Sequence, residues 1–402
     1  MSQNNQYFLI INAGSSSVKL SAIPENISYT YYKALIEINN VTGEKILYCK
    51  KNDTSKNFSY EIDVFSIISE WIKVNNLSIK AIGHRVVHGG REFTELVEVN
   101  DNVIKKIDNL SIFAPLHNPH AASYMRSMIP FNSIQFAYFD TAFHSTIPEI
   151  AHRLAIEERF YQSGIRRYGF HGIAYESILH ILKNLNSGLS KKRIVAIHLG
   201  NGCSMCAINS GKSMDTTMSF TPLDGLVMGT RSGSLDPSIV NYISQYYNIT
   251  PNEVINILNK KSGLLGISGK SSDMRDLIIA AKNDIKSKMA IDMFCYRISH
   301  YLHAFIGLMQ GVDLIIFSGG IGENSSEIRN KIIESVKWLG IENIDYNEEQ
   351  PLELKFKKNN NNSNDSNIRF IHTNNSKSSI AIAYINEETV IAEKIKKKLK
   401  NS

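Results

Sequence analysis

The sequence predicts an α/β protein of two domains, and three observations carry that expectation. The chain has 402 residues, more than one typical hydrophobic core accommodates. Short apolar runs with strand character alternate with stretches whose apolar residues recur at helical spacing. Three of the strand-like runs, beginning at Phe8, Ile194 and Leu314, each empty into a turn of glycine and small polar residues. The first turn is Asn12-Ala-Gly-Ser15-Ser-Ser17-Val-Lys19, the second His198-Leu199-Gly200-Asn201-Gly202, and the third Ser318-Gly319-Gly320-Ile321-Gly322-Glu323-Asn324. A strand that ends in such a turn presents backbone N–H groups and hydroxyls to something negative.

Taken in order, residues 6–60 read as strands and turns, with Leu47-Tyr48-Cys49 and Tyr60-Glu61-Ile62 alternating as sheet edges do. Residues 64–71 carry helical spacing. A strand from Ile79 then delivers His84, Arg85 and His88 to Gly89-Gly90. Ala114-Pro115-Leu116-His117-Asn118-Pro119 is a stiff turn, because both prolines fix φ. A helix over 120–128 leads to a strand over 134–139 that ends in Asp140. An Asp there either serves chemistry at the carboxyl edge of an open sheet or caps the next helix. Arg166 to Gly172 is dense in functional side chains between glycines, and a helix over 174–185 comes next.

Beyond the second glycine turn, Asp215 to Gly233 is irregular inside otherwise regular sequence, which suggests a binding loop. Asp236-Pro237 opens a helix, with Asp as N-cap and Pro at its first position. Thr250-Pro251-Asn252-Glu253 opens the next with a capping-box pattern. A glycine and serine loop runs to Asp273-Met274-Arg275, and one long helix over 276–311 precedes the third turn. Residues 355–367, mostly Asn, Lys and Ser, bury little and read as an exposed loop insertion. A strand over 379–383 and a helix opened by Asn386-Glu387-Glu388 end the chain.

The composition bounds the function. The formal net charge is +6, but Lys394, Lys396, Lys397, Lys398 and Lys400 supply five of those charges, so the rest of the chain is nearly neutral. That argues against a nucleic-acid surface. No apolar run approaches the ~18 residues of a membrane span, and the N-terminus shows no basic region leading into an apolar core. Cys49, Cys203, Cys206 and Cys295 do not make a disulfide framework, and the Cys203/Cys206 pair lacks a second pair to complete a zinc site. They read as buried structural thiols, and the expected compartment is the cytoplasm.

Taken together, these segments resemble the acetate kinase family of the actin-like ATPase superfamily, nearly end to end. The residues that carry the resemblance are Asn-Ala-Gly-Ser-Ser-Ser at 12–17, His-Arg-Val-Val-His-Gly-Gly at 84–90, Ala-Pro-Leu-His-Asn-Pro at 114–119 and Phe-Asp-Thr-Ala-Phe-His at 139–144. Next in the same order come Arg-Arg-Tyr-Gly-Phe-His-Gly at 166–172, His-Leu-Gly-Asn-Gly at 198–202, Met-Gly-Thr-Arg-Ser-Gly at 228–233, Gly-Gly-Ile-Gly-Glu-Asn at 319–324 and Asn-Glu-Glu at 386–388. The sequence departs from the family pattern at His120-Ala121, at Ser234 and at Tyr384-Ile385. It also has Gly172-Ile173-Ala174-Tyr175 where the family has Gly-Thr-Ser-His.

The resemblance implies two duplicated actin-like, ribonuclease H-like α/β domains with an interdomain active-site cleft: residues 1–146 with a returning 386–402, and a nucleotide-binding domain over 147–385. It implies reversible Mg²⁺-dependent (Mn²⁺ as a substitute) transfer of the ATP γ-phosphoryl group to acetate, giving acetyl phosphate and ADP, usually in a homodimer. Carried over by position, Arg85 and Arg231 hold the acyl carboxylate and the transferring group, His171 stabilises the transition state, and Asp140 orients substrate or metal. Asn12 and Glu387 place Mg²⁺. Val87, Leu116, Phe170 and Pro222 form the acyl pocket. Ser15, Ser17, Lys19 and the residues His198, Leu199, Gly200, Asn201 and Gly202 lie at the phosphates. Asp273, Met274, Arg275 and Gly319, Gly320, Ile321, Gly322, Glu323 and Asn324 hold the nucleotide.

Physical reasoning agrees with those roles. A phosphoryl group in flight spreads negative charge over its oxygens, so catalysis rests on positioning and fixed positive charge. Guanidinium groups bind oxyanions in bidentate fashion. The alternatives are a longer acid, propionate or butyrate, in the same reaction, an actin-like nucleotide-dependent assembly protein, or a pseudoenzyme acting as an interaction protein.

Overall fold

The computed structural model describes residues 6–14, 17–27, 32–39, 41–49, 54–115, 117–343 and 367–401. Ser15, Leu116 and all of the 355–367 insertion except Asn367 lie outside them. The chain divides into two compact units, Met1–Phe143 with Asn386–Ser402, and His144–Ile385. Sequence reasoning set the first boundary three residues later.

The first unit is built on strands β1 (Gln6–Ala13), β2 (Ser17–Pro24), β3 (Tyr32–Ile38), β4 (Lys45–Cys49), β5 (Thr54–Phe58), β6 (Ser78–Val86), β7 (Val97–Glu98) and β8 (Ile134–Phe139). They form one sheet in the order β5-β4-β3-β2-β1-β6-β8-β7. β1 to β5 are an antiparallel meander, while β1, β6 and β8 run parallel. Phe8, Leu9, Ile10 and Ile11 are buried on both faces, as a central strand of a covered sheet requires. The helix Val64–Val74 lays Ile67, Ile68, Trp71 and Ile72 on one face of the meander, with Asp63 capping its first turn through the Ser66 N–H.

The other face takes the returning helix Glu387–Asn401, which buries Val390, Ile391, Ala392 and Ile395. Gly83 of β6 allows that approach: a Cβ there would lie 2.8 Å from Ile395 and 2.9 Å from Ile391. Any side chain would push the helix off the sheet.

The second unit repeats the plan. Strands β9 (Arg193–Leu199), β10 (Cys203–Asn209), β11 (Lys212–Thr216), β12 (Leu314–Ser318), β13 (Ile368–Phe370) and β14 (Ser379–Ala383) form a sheet ordered β11-β10-β9-β12-β14-β13. Here β9, β10 and β11 are the antiparallel meander, and β9, β12 and β14 are parallel. The block β3-β2-β1-β6-β8 of one sheet and the block β11-β10-β9-β12-β14 of the other share order and strand direction, so the chain contains one α/β design twice.

Several local expectations are corrected. The first two glycine turns are hairpin turns, β1 to β2 and β9 to β10, whereas the third opens a short helix, Gly319–Asn324. Gly319 makes that bend at φ +77, a left-handed backbone that disfavours side chains. Tyr60 to Ile62 is turn and bend, not strand. The helix expected over 276–311 is two helices, Met274–Ala280 and Ile285–Leu308, because the Asp284 carboxylate caps a new start through the Ser287 N–H at 2.9 Å. The helix expected at Pro237 starts at Ser238, one residue later, with Asp236 accepting from the Ser238 N–H at 2.8 Å.

Candidate active site

In an open parallel sheet the carboxyl ends of the strands are where side chains meet a ligand, and both units collect their polar side chains there. In the first unit, register does the assembly. Asn12 at the end of β1 stands opposite Arg85 at the end of β6 and opposite Lys19 on β2. The Asp140 N–H donates to the Val86 carbonyl at 2.9 Å, extending the β6/β8 pairing by one residue. Arg85 then donates in bidentate fashion to Asp140, Nε to Oδ1 at 2.9 Å and Nη2 to Oδ2 at 2.8 Å. Its Nη1 meets Glu387 Oε2 at 2.7 Å, at the start of the returning helix.

This cluster is desolvated, with Asp140 only 3% and Glu387 16% exposed in their side chains. Burial works against the Arg85 charge, but Asp140 and Glu387 outweigh it and hold the guanidinium ionised above its ordinary range. Burial pushes the Glu387 carboxyl up to about 7; Arg85 opposes that, while Asp140 and Glu388 add to it. Carboxylates therefore outnumber the cations here, a hard-oxygen surplus that fits a divalent cation. Among the described residues no cluster of three or more His, Cys, Asp or Glu forms a closed cage. Lys19 is exposed and Asn12 half-buried beside the carboxylates.

In the second unit three expected residues converge. A Cβ placed on Gly202 would lie 3.5 Å from Arg231 Nη1 and 3.6 Å from His171 Nε2. Arg231 also donates to the Pro222 carbonyl at 3.2 Å, and burial lowers its pKa. His171 sits in the left-handed region, φ 58 and ψ 22, at the start of the helix Gly172–Leu185. Non-glycine residues held there concentrate at functional sites. Its Nδ1 lies 2.9 Å from Ser204 Oγ on β10, and its ring lies 4.8 Å from the His198 ring. Phe170 beside it is 1% exposed, a core side chain of this unit, while Val87 of the first unit is half-buried.

The second and third glycine turns are fastened together. His198 Nδ1 and Ser318 Oγ are 3.1 Å apart, and a Cβ on Gly319 would lie 2.7 Å from the Leu199 carbonyl. Gly200 N–H donates to the Gly202 carbonyl at 3.1 Å, which leaves Asn201 exposed at the tip. Glu323 turns inward: its carboxylate accepts the Gly319 N–H at 3.0 Å and the Ile385 N–H. Asn324 Nδ2 donates to the Gly320 carbonyl at 2.8 Å. Asp273 and Arg275 pair with one another, with Nη2 to Oδ2 at 2.6 Å, and the Arg275 side chain is 87% exposed. Met274 points into the core at 3% exposure. Ser17 lies in β2, and its carbonyl accepts the Gly14 N–H at 2.8 Å.

Other residues shape these segments and were not expected. Asn118 is fully buried and clamps the backbone of His88, accepting its N–H at 3.1 Å and donating to its carbonyl at 2.9 Å. That fixes the strand end carrying Arg85 and Val87, and its position inside the Pro-Leu-His-Asn-Pro motif was a usable signal. Arg329, 2% exposed, donates to the Gly322 carbonyl at 2.8 Å and holds the third turn from behind. His84 alternates away from Arg85 into the core against Gln135 at 2.7 Å, and burial lowers its pKa to about 4.

Comparison with known proteins gives this geometry its context. Residues 7–393 match the sequence profile of the Acetokinase family. An acetate kinase of Staphylococcus aureus strain JH9 is 41% identical over 361 residues, covering 84% of this chain and 88% of that protein. The crystal structure of a propionate kinase from Francisella tularensis superposes with a TM-score of 0.87 at 37% identity, over 97% of this chain and 98% of the other. That of Porphyromonas gingivalis acetate kinase gives 0.84 at 30% identity, over 98% and 100%. The chain therefore has the two-domain actin-like ATPase fold of those enzymes and belongs to the Acetokinase family of phosphotransferases.

Proposed function

We propose that the chain is an acetate kinase that moves the γ-phosphoryl group of ATP to acetate by direct in-line transfer, reversibly, with Mg²⁺ (or Mn²⁺). The observation that carries this reading is the convergence of Arg231 Nη1 and His171 Nε2 over Gly202, at a turn with no Cβ to fill the space between them. Two donors aimed at one small volume suit the equatorial oxygens of a phosphoryl group in transit. Arg231 supplies fixed charge, its half-buried guanidinium partly shielded from water. His171 supplies a directional N–H. Arg85, already gripped by Asp140 and Glu387, offers the acyl carboxylate a guanidinium that has lost little further freedom to order. Asp140 fixes that orientation.

Asn12 and Glu387 are the residues we assign to the cation, which when bound neutralises phosphate charge. The turns at Ser15 to Lys19, His198 to Gly202 and Gly319 to Asn324, with Asp273, Met274 and Arg275, are assigned to the nucleotide. Val87, Leu116, Phe170 and Pro222 are assigned to the acyl group. The test is formation of acetyl hydroxamate from ATP, acetate and Mg²⁺ in the presence of hydroxylamine. Absence of acetate-dependent product would overturn the reading.

Propionate is the second reading, favoured by the likeness to the Francisella tularensis propionate kinase. One methylene is worth ~1–3 kcal/mol in an apolar pocket, so kcat/KM measured across acetate, propionate and butyrate decides it. A homodimer and a cytoplasmic location complete the proposal. The helix Ser238–Tyr247 buries none of its residues and leaves Tyr242, Tyr246 and Tyr247 each about two-thirds exposed. Their area of roughly 300–500 Å² is about half of the ~800 Å² per partner in a standard interface. Sedimentation of Tyr242→Glu/Tyr246→Glu against the parent chain tests it. All four cysteines are free. Among the described residues no helix is long and apolar enough to cross a membrane.

A further inference from the structure

The imidazole of His171 has a second layer of partners that the phosphoryl-transfer step does not itself touch. Its Nδ1 lies 2.9 Å from Ser204 Oγ, and the same Ser204 oxygen is hydrogen-bonded to the Tyr175 hydroxyl. Ser204 and Tyr175 are both fully buried. Tyr175 stands one helical turn after His171 on the helix Gly172–Leu185, so its ring reaches the same point of β10. Ser204 stands opposite His198 in the β9/β10 register, which places the hydroxyl beside the second glycine turn. Burial raises the Tyr175 phenol well above its usual range, so it remains a proton donor at any working pH.

We propose that Tyr175 and Ser204 are positioning residues for phosphoryl transfer: the Tyr175 O–H donates to Ser204 Oγ, the Ser204 O–H donates to His171 Nδ1, and the imidazole therefore carries its proton on Nε2. Which imidazole nitrogen bears hydrogen is set by the bond the other one makes. A serine oxygen that already accepts from tyrosine has its own proton free to point at Nδ1. This direction spends both hydroxyl protons inside the triad and leaves Nδ1 an acceptor. Nε2 is the nitrogen 3.6 Å from the site of a Cβ on Gly202, beside Arg231 Nη1. The relay therefore aims the N–H at the volume assigned to the phosphoryl oxygens, and it braces a residue whose backbone sits at φ 58. Tyr175 occupies the place of the histidine in the family pattern Gly-Thr-Ser-His, so this chain makes the support from a phenol.

The inference rests on the catalytic role proposed for His171, and the experiment separates the two. Solution ¹⁵N NMR of the full chain labelled at histidine reads the tautomer directly, with the His171 signals identified as those lost in His171→Ala. The expected result is Nε2 in the pyrrole-type range and Nδ1 in the pyridine-type range, with that difference shrinking in Ser204→Ala. Ser204→Ala is expected to lower kcat by about 10- to 100-fold, less than the 10²–10³ that outright loss of one transition-state donor costs. Its KM for acetate should stay within about twofold, because ground-state binding is untouched. Tyr175→Phe, which loses only the hydroxyl and carries the test should Ser204→Ala fold poorly, is expected to lower kcat by about threefold or more.

An Nδ1–H tautomer in the parent enzyme would overturn the relay, and so would a kcat within about twofold of the parent in both folded variants. If His171→Ala itself keeps its kcat, the catalytic role of His171 falls. If His171→Ala is inactive while Ser204→Ala and Tyr175→Phe match the parent, only the relay falls.

Discussion

Glu387 gives the most quantitative prediction, because its carboxyl is held near neutrality inside the first unit. Burial pushes its pKa up to about 7 against the opposing charge of Arg85, compared with ~4.3 for a free glutamate. Between those two values the folded state holds a proton that the unfolded chain has released, so stability falls as pH rises through that window. At ~1.4 kcal/mol per pH unit, the full cost of ionising Glu387 in the folded state is about 3–4 kcal/mol. About 2–3 kcal/mol of it develops between pH 5 and pH 8.

Glu387→Gln places a neutral isostere there and removes that cost. The variant should therefore gain about 2–3 kcal/mol on the parent chain between pH 5 and pH 8. With an unfolding entropy of ~2.1 cal/mol/K per residue, that is about 3 °C in Tm if the whole chain melts together, and about 7 °C if the first unit melts alone. His84 and His144, each with a pKa lowered to about 4 by burial, act with the opposite sign and cost stability as pH falls from ~6.5. They are common to both chains and cancel in the difference. The assay is thermal unfolding by circular dichroism at both pH values, without nucleotide or metal. A gap that is equal at pH 5 and pH 8, or one that favours the parent at pH 8, would refute the reasoning. Added Mg²⁺ with ADP should then stabilise the parent more than the variant at pH 8, since only the parent has the surplus charge to neutralise.

The same geometry fixes further outcomes. Arg231→Ala should lose about 10²–10³ in kcat, the scale of one transition-state donor, and steady-state kinetics with wild-type kcat would remove Arg231 from that role. Val87→Ala should chiefly raise the KM for acetate, and an unchanged KM would take Val87 out of the acyl pocket. Asn118→Ala leaves both backbone groups of His88 without their clamp and should cost about 1–3 kcal/mol in a denaturant titration. Arg329→Met should cost a similar ~1–3 kcal/mol by leaving the Gly322 carbonyl buried and unmet, and a raised KM for ATP would accompany it if the third turn carries nucleotide.

The central strands and their turns were legible because a covered parallel strand is written as a plain apolar run, and glycine marks where each run ends. The difference between a hairpin turn and a helix start was not, since both use the same small residues. The break at Asp284 was visible as a capping residue inside a helical stretch, but the apolar spacing on both sides masked it. In the site, Arg85 and Asp140 could be chosen by residue type, while their pairing depends on the β6/β8 register, which no local pattern fixes. Ser204 was invisible for the same reason: it meets His171 through the pairing of β9 with β10, and a lone serine in a buried strand has no signature.

The return of residues 386–402 to the first unit has a consequence for biogenesis. A ribosome delivers the second unit's whole sequence before the last helix of the first. Until then the β6 surface around Gly83 has no cover, and Arg85 has only one of its two carboxylates. Once Ile385 has been added, the second unit is fully encoded while the first still awaits residues 386–402. Premature termination before Glu387 would yield a polypeptide deprived of both the buried face of the last helix and the Glu387 partner of Arg85, leaving apolar surface exposed for quality control to recognise.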